Sequence, residues 1–209
     1  MKKSKLVAIL AATTVAASLV LVPAATAATK TKACLALDTG GVDDKSFNAA
    51  SWAGATGIAK SNKNVTVSYL PAASGADYAP NIKKFVDQKC NVIIGVGFAI
   101  AGAIIASAKA NPTIKYAIVD DSGLEPNADY TAFTAIKNVK GLTFKTQESS
   151  FLAGYAAAAF STKGVVATYG GAPYPTVTAF MDGFAQGVFY YNQVKKKGVR
   201  VLGWNRDTK

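Results

Sequence analysis

The stretch CLALDTGGVDDKSFN, residues 34–48, decides how this chain is read. Its apolar run stops at Asp38, and Gly40 and Gly41 let the backbone turn sharply with no Cβ in the way. A polar loop follows, then small apolar residues at Ala50, Ala53, Gly54, Gly57 and Ile58, spaced as one face of a helix. That is a strand, a short loop and a helix. In open α/β sheets, ligands sit beyond the carboxyl ends of the strands, where residues 38–48 fall. The loop crowds an aromatic ring (Phe47), an amide (Asn48) and three carboxylates (Asp38, Asp43, Asp44) into that place. Such a set stacks on a flat ligand and hydrogen-bonds its hydroxyls. A glycine turn with capping aspartates is the plainer reading of the same residues.

The pattern repeats along the chain. Residues 65–70 are rich in β-branched side chains, and Pro71 is expected to end that strand. Ile82, Phe85 and Val86 mark a helix over 79–89, and residues 91–97 form a continuous apolar run, the sign of a strand buried on both faces. A helix follows through Ile104 and Ile105, halted by Asn111-Pro112, and a strand over 115–119 ends on Asp120 and Asp121. Residues 130–136 alternate, as an edge strand or a crossover would. The succession predicts a doubly wound parallel sheet.

From Gln147 the series starts again. An alanine-rich helix over 147–160 leads to a strand over 165–169. A long amphipathic helix over 176–194 follows, carrying Val177, Phe180, Met181, Phe184, Val188 and Tyr191 on one face, and then a strand over 199–204. Residues 146–209 either extend the first sheet or open a second lobe, incomplete within this sequence. The domain organisation expected is therefore 1–27, 28–145 and 146–209.

The first segment reads as a signal peptide. Met-Lys-Lys-Ser-Lys precedes an apolar stretch over 6–22, and Ala25-Thr26-Ala27 offers a cleavage site. The protein is accordingly expected outside the cytoplasmic membrane, in the cell envelope. Cys34 follows Lys30 and Lys32 rather than the residues of a lipoprotein site. The formal charge of +11 falls after cleavage to 20 basic against 12 acidic residues. No aromatic-basic interleaving accompanies that surplus, so nucleic acid is not an expected partner. The cysteines, Cys34 and Cys90, each open an apolar strand-like run. An exported chain permits a bridge between them, and two buried thiols are the alternative. With no histidine and no Cys-x-x-Cys spacing, neither a metal site nor a Ser-His or Cys-His nucleophile is expected, and no cofactor is implied.

The residues 38–48 (DTGGVDDKSFN) resemble the opening motif of the basic membrane protein family. These are substrate-binding components of ABC transporters, bacterial purine-nucleoside receptors among them. The similarity continues through 95–98 (GVGF), 116–120 (YAIVD), 148–154 (ESSFLAG), 166–171 (VATYGG), 180–184 (FMDGF) and 201–204 (VLGW). It implies a type I periplasmic-binding-protein-like fold, two α/β lobes closing on a ligand. It also implies a site: Phe47 stacking on a base, Asp38, Asn48 and Asp120 hydrogen-bonding base or sugar, Asp44 in the same loop, and Gly97 and Phe98 lining the cleft. The partners implied are a nucleoside and a transporter permease, through which alone the protein meets the membrane. Members of that family commonly carry a lipid-modified cysteine just after the signal, and this chain is expected to depart from them there. A sensor or adhesion module and an exported α/β enzyme are the rival readings, and no nucleophile-base pair supports the second of these.

Overall fold

The structure, a computed structural model, describes residues 29–128, 132–171 and 174–205. The expected signal peptide over 1–27 lies outside the described residues. Among the described residues, no helix is long and apolar enough to cross a membrane.

The core of the molecule is a five-stranded parallel sheet. Its strands are β1 (Thr31–Thr39), β2 (Val65–Ala72), β3 (Val92–Val96), β4 (Lys115–Val119) and β7 (Val139–Leu142), in the order β2-β1-β3-β4-β7. The apolar run at 91–97 becomes β3, the middle strand, with Ile93, Gly95 and Val96 buried as its unbroken hydrophobicity requires. Helix α1 (Phe47–Ser61) covers one face, where Phe47, Trp52 and Ala55 pack on Leu35, Leu37, Val96 and Val119. Helices α2 (Tyr78–Asp87) and α3 (Ala101–Ala110) cover the other, packing Ile82, Phe85 and Ile104 on Cys34, Ile93 and Ile118. The sheet is doubly wound, as the succession of elements predicts.

Cys34 and Cys90 are joined in a disulfide, with Cα atoms 6.2 Å apart and both residues buried. The strand order explains the contact. β1 and β3 are neighbours, and Cys34 pairs in register with Ile93, three residues beyond Cys90. The bridge closes a long loop through β2 and α2, restricting the unfolded chain more than the folded one.

Three local expectations are corrected. The helix face of Ala50, Ala53, Gly54, Gly57 and Ile58 is the solvent face, and Ile58 is 56% exposed. The sheet is met instead by Trp52, whose ring lies 4.7 Å from that of Tyr69. One indole outweighs several small side chains in apolar area. Pro71 lies inside β2 rather than after it, because β2 is an edge strand with one side free of ladder bonds. Finally, of the range 130–136, expected as an edge strand or a crossover, residues 130 and 131 lie outside the described residues, and Phe133–Ala135 forms β6, an antiparallel hairpin with β5 (Leu124–Pro126) rather than a strand of the main sheet. The fifth strand of the main sheet is β7, and its four residues, VKGL, are too short a run to signal a strand of their own.

Beyond β7 the chain forms a second, two-stranded parallel sheet. Helices α4 (Thr146–Phe160) and α5 (Pro175–Lys195) accompany a parallel pair, β8 (Val165–Ala167) and β9 (Arg200–Leu202), which does not join the first sheet. The two helices touch backbone to backbone. A Cβ on Gly187 would lie 2.0 Å from the Phe151 carbonyl oxygen, and one on Gly154 equally close to that of Phe184. Only glycine permits that separation. The outward face of the pair leaves Leu152 68% and Phe160 86% exposed.

Candidate functional site

The sheet order sets the site. β1, β3 and β4 are adjacent and parallel, so the residues at their carboxyl ends stand side by side. Asp38 lies at the end of β1, Gly97 and Phe98 follow β3, and Asp120 follows β4. Phe47 and Asn48 open α1, directly after the β1 loop. Every residue in the expected set is thus at one end of one sheet, but the residues do different work.

Asn48 and Asp44 hold the loop. Asn48 is only 1% exposed. Its amide oxygen accepts the Asp38 N–H at 3.2 Å, and its amide nitrogen donates to the Asp38 carbonyl at 3.3 Å, which ties the helix start to the strand end. Asp44 accepts the backbone N–H groups of Ser46, Asn48 and Ala49 at 2.8–3.1 Å. These bonds, led by that from Ala49, hold its carboxyl below the usual carboxylate range. The carboxylate satisfies the orphan amides of the first turn of α1, which is the capping role that the plainer reading of the loop assigned to it.

Asp38 is gripped on one side. Its Oδ1 accepts the Thr39 N–H at 2.6 Å and the Tyr78 hydroxyl. Its Oδ2 lies against Gly97, where a Cβ would sit 2.6 Å away, and it accepts no hydrogen bond among the described residues. Gly97 has φ +92° and ψ 146°, a combination that side chains almost exclude.

Phe47 and Phe98 each present a ring. Phe47 is half-buried, its ring 5.6 Å from that of Phe144, which is itself 53% exposed. Phe98 lies 5.5 Å from Tyr174, whose loop enters α5. Phe98, Phe144 and Tyr174 line a cleft of about 470 Å³ together with Asp120, Asp121 and Phe133 among others, whereas Phe47, Asp38, Asn48 and Gly97 are not among its lining residues. Its size suits a ligand of one or two rings.

Asp120 is the buried charge of this cleft. It is 6% exposed, has φ +64°, and receives no hydrogen bond on its carboxylate among the described residues. Burial first, and the neighbouring Asp121 charge second, push its carboxyl above the usual range. Burial also raises Asp121, opposed by its hydrogen bond from the Gly123 N–H at 2.7 Å. No buried side-chain oxygen among the described residues lacks a partner, so the Asp120 carboxylate opens onto the cleft, where a hydroxyl-bearing ligand could donate to it.

Phe144 and Tyr174 line this cleft, the Tyr78 hydroxyl donates to Asp38, and none of the three is singled out by the sequence. Tyr78 alone was within reach of the strand-end rule, since it opens α2 just after β2. Phe144 and Tyr174 lie in connections whose course depends on tertiary packing.

The chain is similar to known proteins along nearly its whole length. The model of the family described as "ABC transporter substrate-binding protein PnrA-like" matches residues 31–209. The "ABC transporter nucleoside-binding protein BmpA" of Lactococcus lactis subsp. cremoris is 32% identical over 162 residues, 76% of this chain and 43% of that protein. "Basic membrane protein A" of Borreliella burgdorferi is 31% identical over 172 residues, 82% of this chain and 48% of its own length. The chain therefore spans less than half the length of these relatives. Among solved structures, an ABC transporter solute-binding protein from Aeropyrum pernix K1 superposes with a TM-score of 0.66 at 24% identity, covering 82% of this chain and 46% of its own. That likeness carries the fold, a type I periplasmic-binding architecture. The chain belongs to the basic membrane protein family, the PnrA-like substrate-binding proteins of ABC transporters.

Proposed function

We propose that this chain supplies one wall of an extracytoplasmic receptor that captures a nucleoside, a purine nucleoside by preference, and delivers it to an ABC transporter permease. The observation that carries the reading is the juxtaposition at one sheet end of a half-buried ring, Phe47, with two acceptor carboxylates lacking a full set of donors, Asp38 and Asp120. A nucleoside has that shape and polarity, with a flat base to stack and hydroxyl and N–H donors to share. The name of the Lactococcus relative supports the ligand class. Residues 28–145 and 146–209 then belong to two lobes that close on the ligand, and the leader over 1–27 directs export.

Calorimetric titration of the full-length protein with adenosine, inosine, guanosine and cytidine tests the reading. Saturable binding of purine nucleosides, without turnover, is expected. Phe47→Ala should weaken that binding by about 1–3 kcal/mol, the usual worth of a base on an aromatic platform. Unchanged affinity in a folded Phe47 variant would make the ring a packing residue of α1. A wild-type protein that binds none of the four would leave the fold and remove the ligand class.

A further inference from the structure

Tyr78 has no place in the roles discussed so far, yet its hydroxyl makes the contact that orients Asp38. The residue is half-buried and packs against the core cluster of Cys34, Ile82, Phe85 and Ile104. Its backbone is held at the entry to α2, where the Asp77 carboxylate accepts the N–H groups of Ala73 and Ser74 at 2.9 and 3.0 Å. The ring is therefore presented to the end of β1 by a braced turn. Burial, the bond to Asp38 and the charge of Asp38 raise the hydroxyl pKa to about 12, so it remains a donor. With Thr39 on the same oxygen, Oδ1 of Asp38 is spent, and Oδ2 is the atom left without a donor.

We propose that Tyr78 is a positioning residue of the ligand site, locking the Asp38 carboxylate so that Oδ2 alone is offered to an N–H donor of the bound base. The inference rests on the nucleoside reading above. A carboxylate held by a neighbour does not have to give up rotational freedom when the ligand arrives, which is preorganisation in its simplest form. Removing the hydroxyl frees the carboxylate to turn, without touching the ligand itself.

The test is a double-mutant cycle in the full-length protein, titrating inosine into wild type, Tyr78→Phe, Asp38→Asn and the double variant. Tyr78→Phe should weaken inosine binding about tenfold, the order expected for one charge-assisted hydrogen bond. In the Asp38→Asn background the same change should have almost no effect. A packing role alone would give equal losses in both backgrounds, and that result overturns the proposal, as does full affinity in Tyr78→Phe. Should Tyr78→Phe fold too poorly to titrate, 3-fluorotyrosine in place of Tyr78 strengthens the donor while keeping the shape. It should tighten inosine binding only where Asp38 is present, and no change overturns the proposal. If the wild type binds inosine and Tyr78→Phe does too, equally, then only the role of Tyr78 falls. If the wild type binds no nucleoside, the functional reading falls and takes this inference with it.

Discussion

Asp120→Asn should weaken nucleoside binding by about 2–3 kcal/mol and, in the same protein, raise the melting temperature of the unliganded form at neutral pH. The first effect follows from the donors of the ligand. A carboxylate offers lone pairs only, whereas an amide turns one edge into a donor and leaves a ligand hydroxyl facing an N–H in a closed cleft. Truncating such a charged partner leaves the other group buried and unpaired, and that loss is of the stated order. The second effect follows from the empty site. Asp120 is buried beside Asp121 with no donor on its carboxylate among the described residues, so its charge is a burden until ligand arrives. Asparagine removes the charge while keeping the shape, and it tolerates the left-handed backbone at φ +64° nearly as well.

The pH dependence has a definite sign. Burial raises the Asp120 carboxyl above its unfolded value, so the folded unliganded protein favours the neutral form. That contribution to stability is fully present below the unfolded carboxylate value and is lost as pH rises through the raised folded one. Wild type should therefore lose stability across that window more than Asp120→Asn does. Ligand affinity should run the other way, rising as Asp120 ionises. Thermal melts and titrations of both proteins across the acid range read the two trends. Equal affinity in wild type and variant would remove Asp120 from the site, and an unchanged melting temperature would mean that its charge is already compensated.

Much of the fold was visible in the sequence because parallel strands buried on both faces cannot hide their apolar runs. β1, β3 and β4 are such strands, and their ends place Asp38, Gly97 and Asp120 from the apolar pattern alone. The same logic misread α1. There the small residues mark the solvent face, while the helix is anchored by Trp52 and by the Asn48 amide. β7 was missed because an edge strand of four residues is made by its neighbour. Val139 to Leu142 is extended because it pairs with β4, not because of its own residues. For the candidate site, the placement of the residues at one sheet end was legible and their division of labour was not. Sequence spacing brings Asp44 and Asp38 into one loop, but only geometry shows that Asp44 serves the helix while Asp38 faces Gly97. The contact from Tyr78 crosses 40 residues of chain, beyond the reach of any local pattern.

Gly97→Ala should be the most damaging single-methyl change in the site, costing about 3 kcal/mol of stability and, independently, most of the ligand affinity. Two costs coincide at this position. The backbone at φ +92° and ψ 146° belongs nearly to glycine alone, and holding another residue there costs about 1–3 kcal/mol. The added methyl would also lie 2.6 Å from Asp38 Oδ2 and 3.2 Å from its Cβ, too close for any contact without movement. Asp38 cannot move freely, because its Oδ1 is held by Thr39 and Tyr78 and its backbone by Asn48. Either the strand end shifts or those bonds break, and both displace the acceptor offered to the ligand. Gly54→Ala is the matched control. Gly54 sits inside α1 with nothing within 4 Å of the added methyl, so alanine should stabilise there by up to about 1 kcal/mol. Denaturant unfolding gives the stability of both variants, and titration of inosine at a temperature where Gly97→Ala is fully folded isolates the effect on the site. A Gly97→Ala protein that loses stability yet binds inosine as tightly as wild type would show that Asp38 moves without consequence, and Asp38 would then have to be dropped from the ligand contacts.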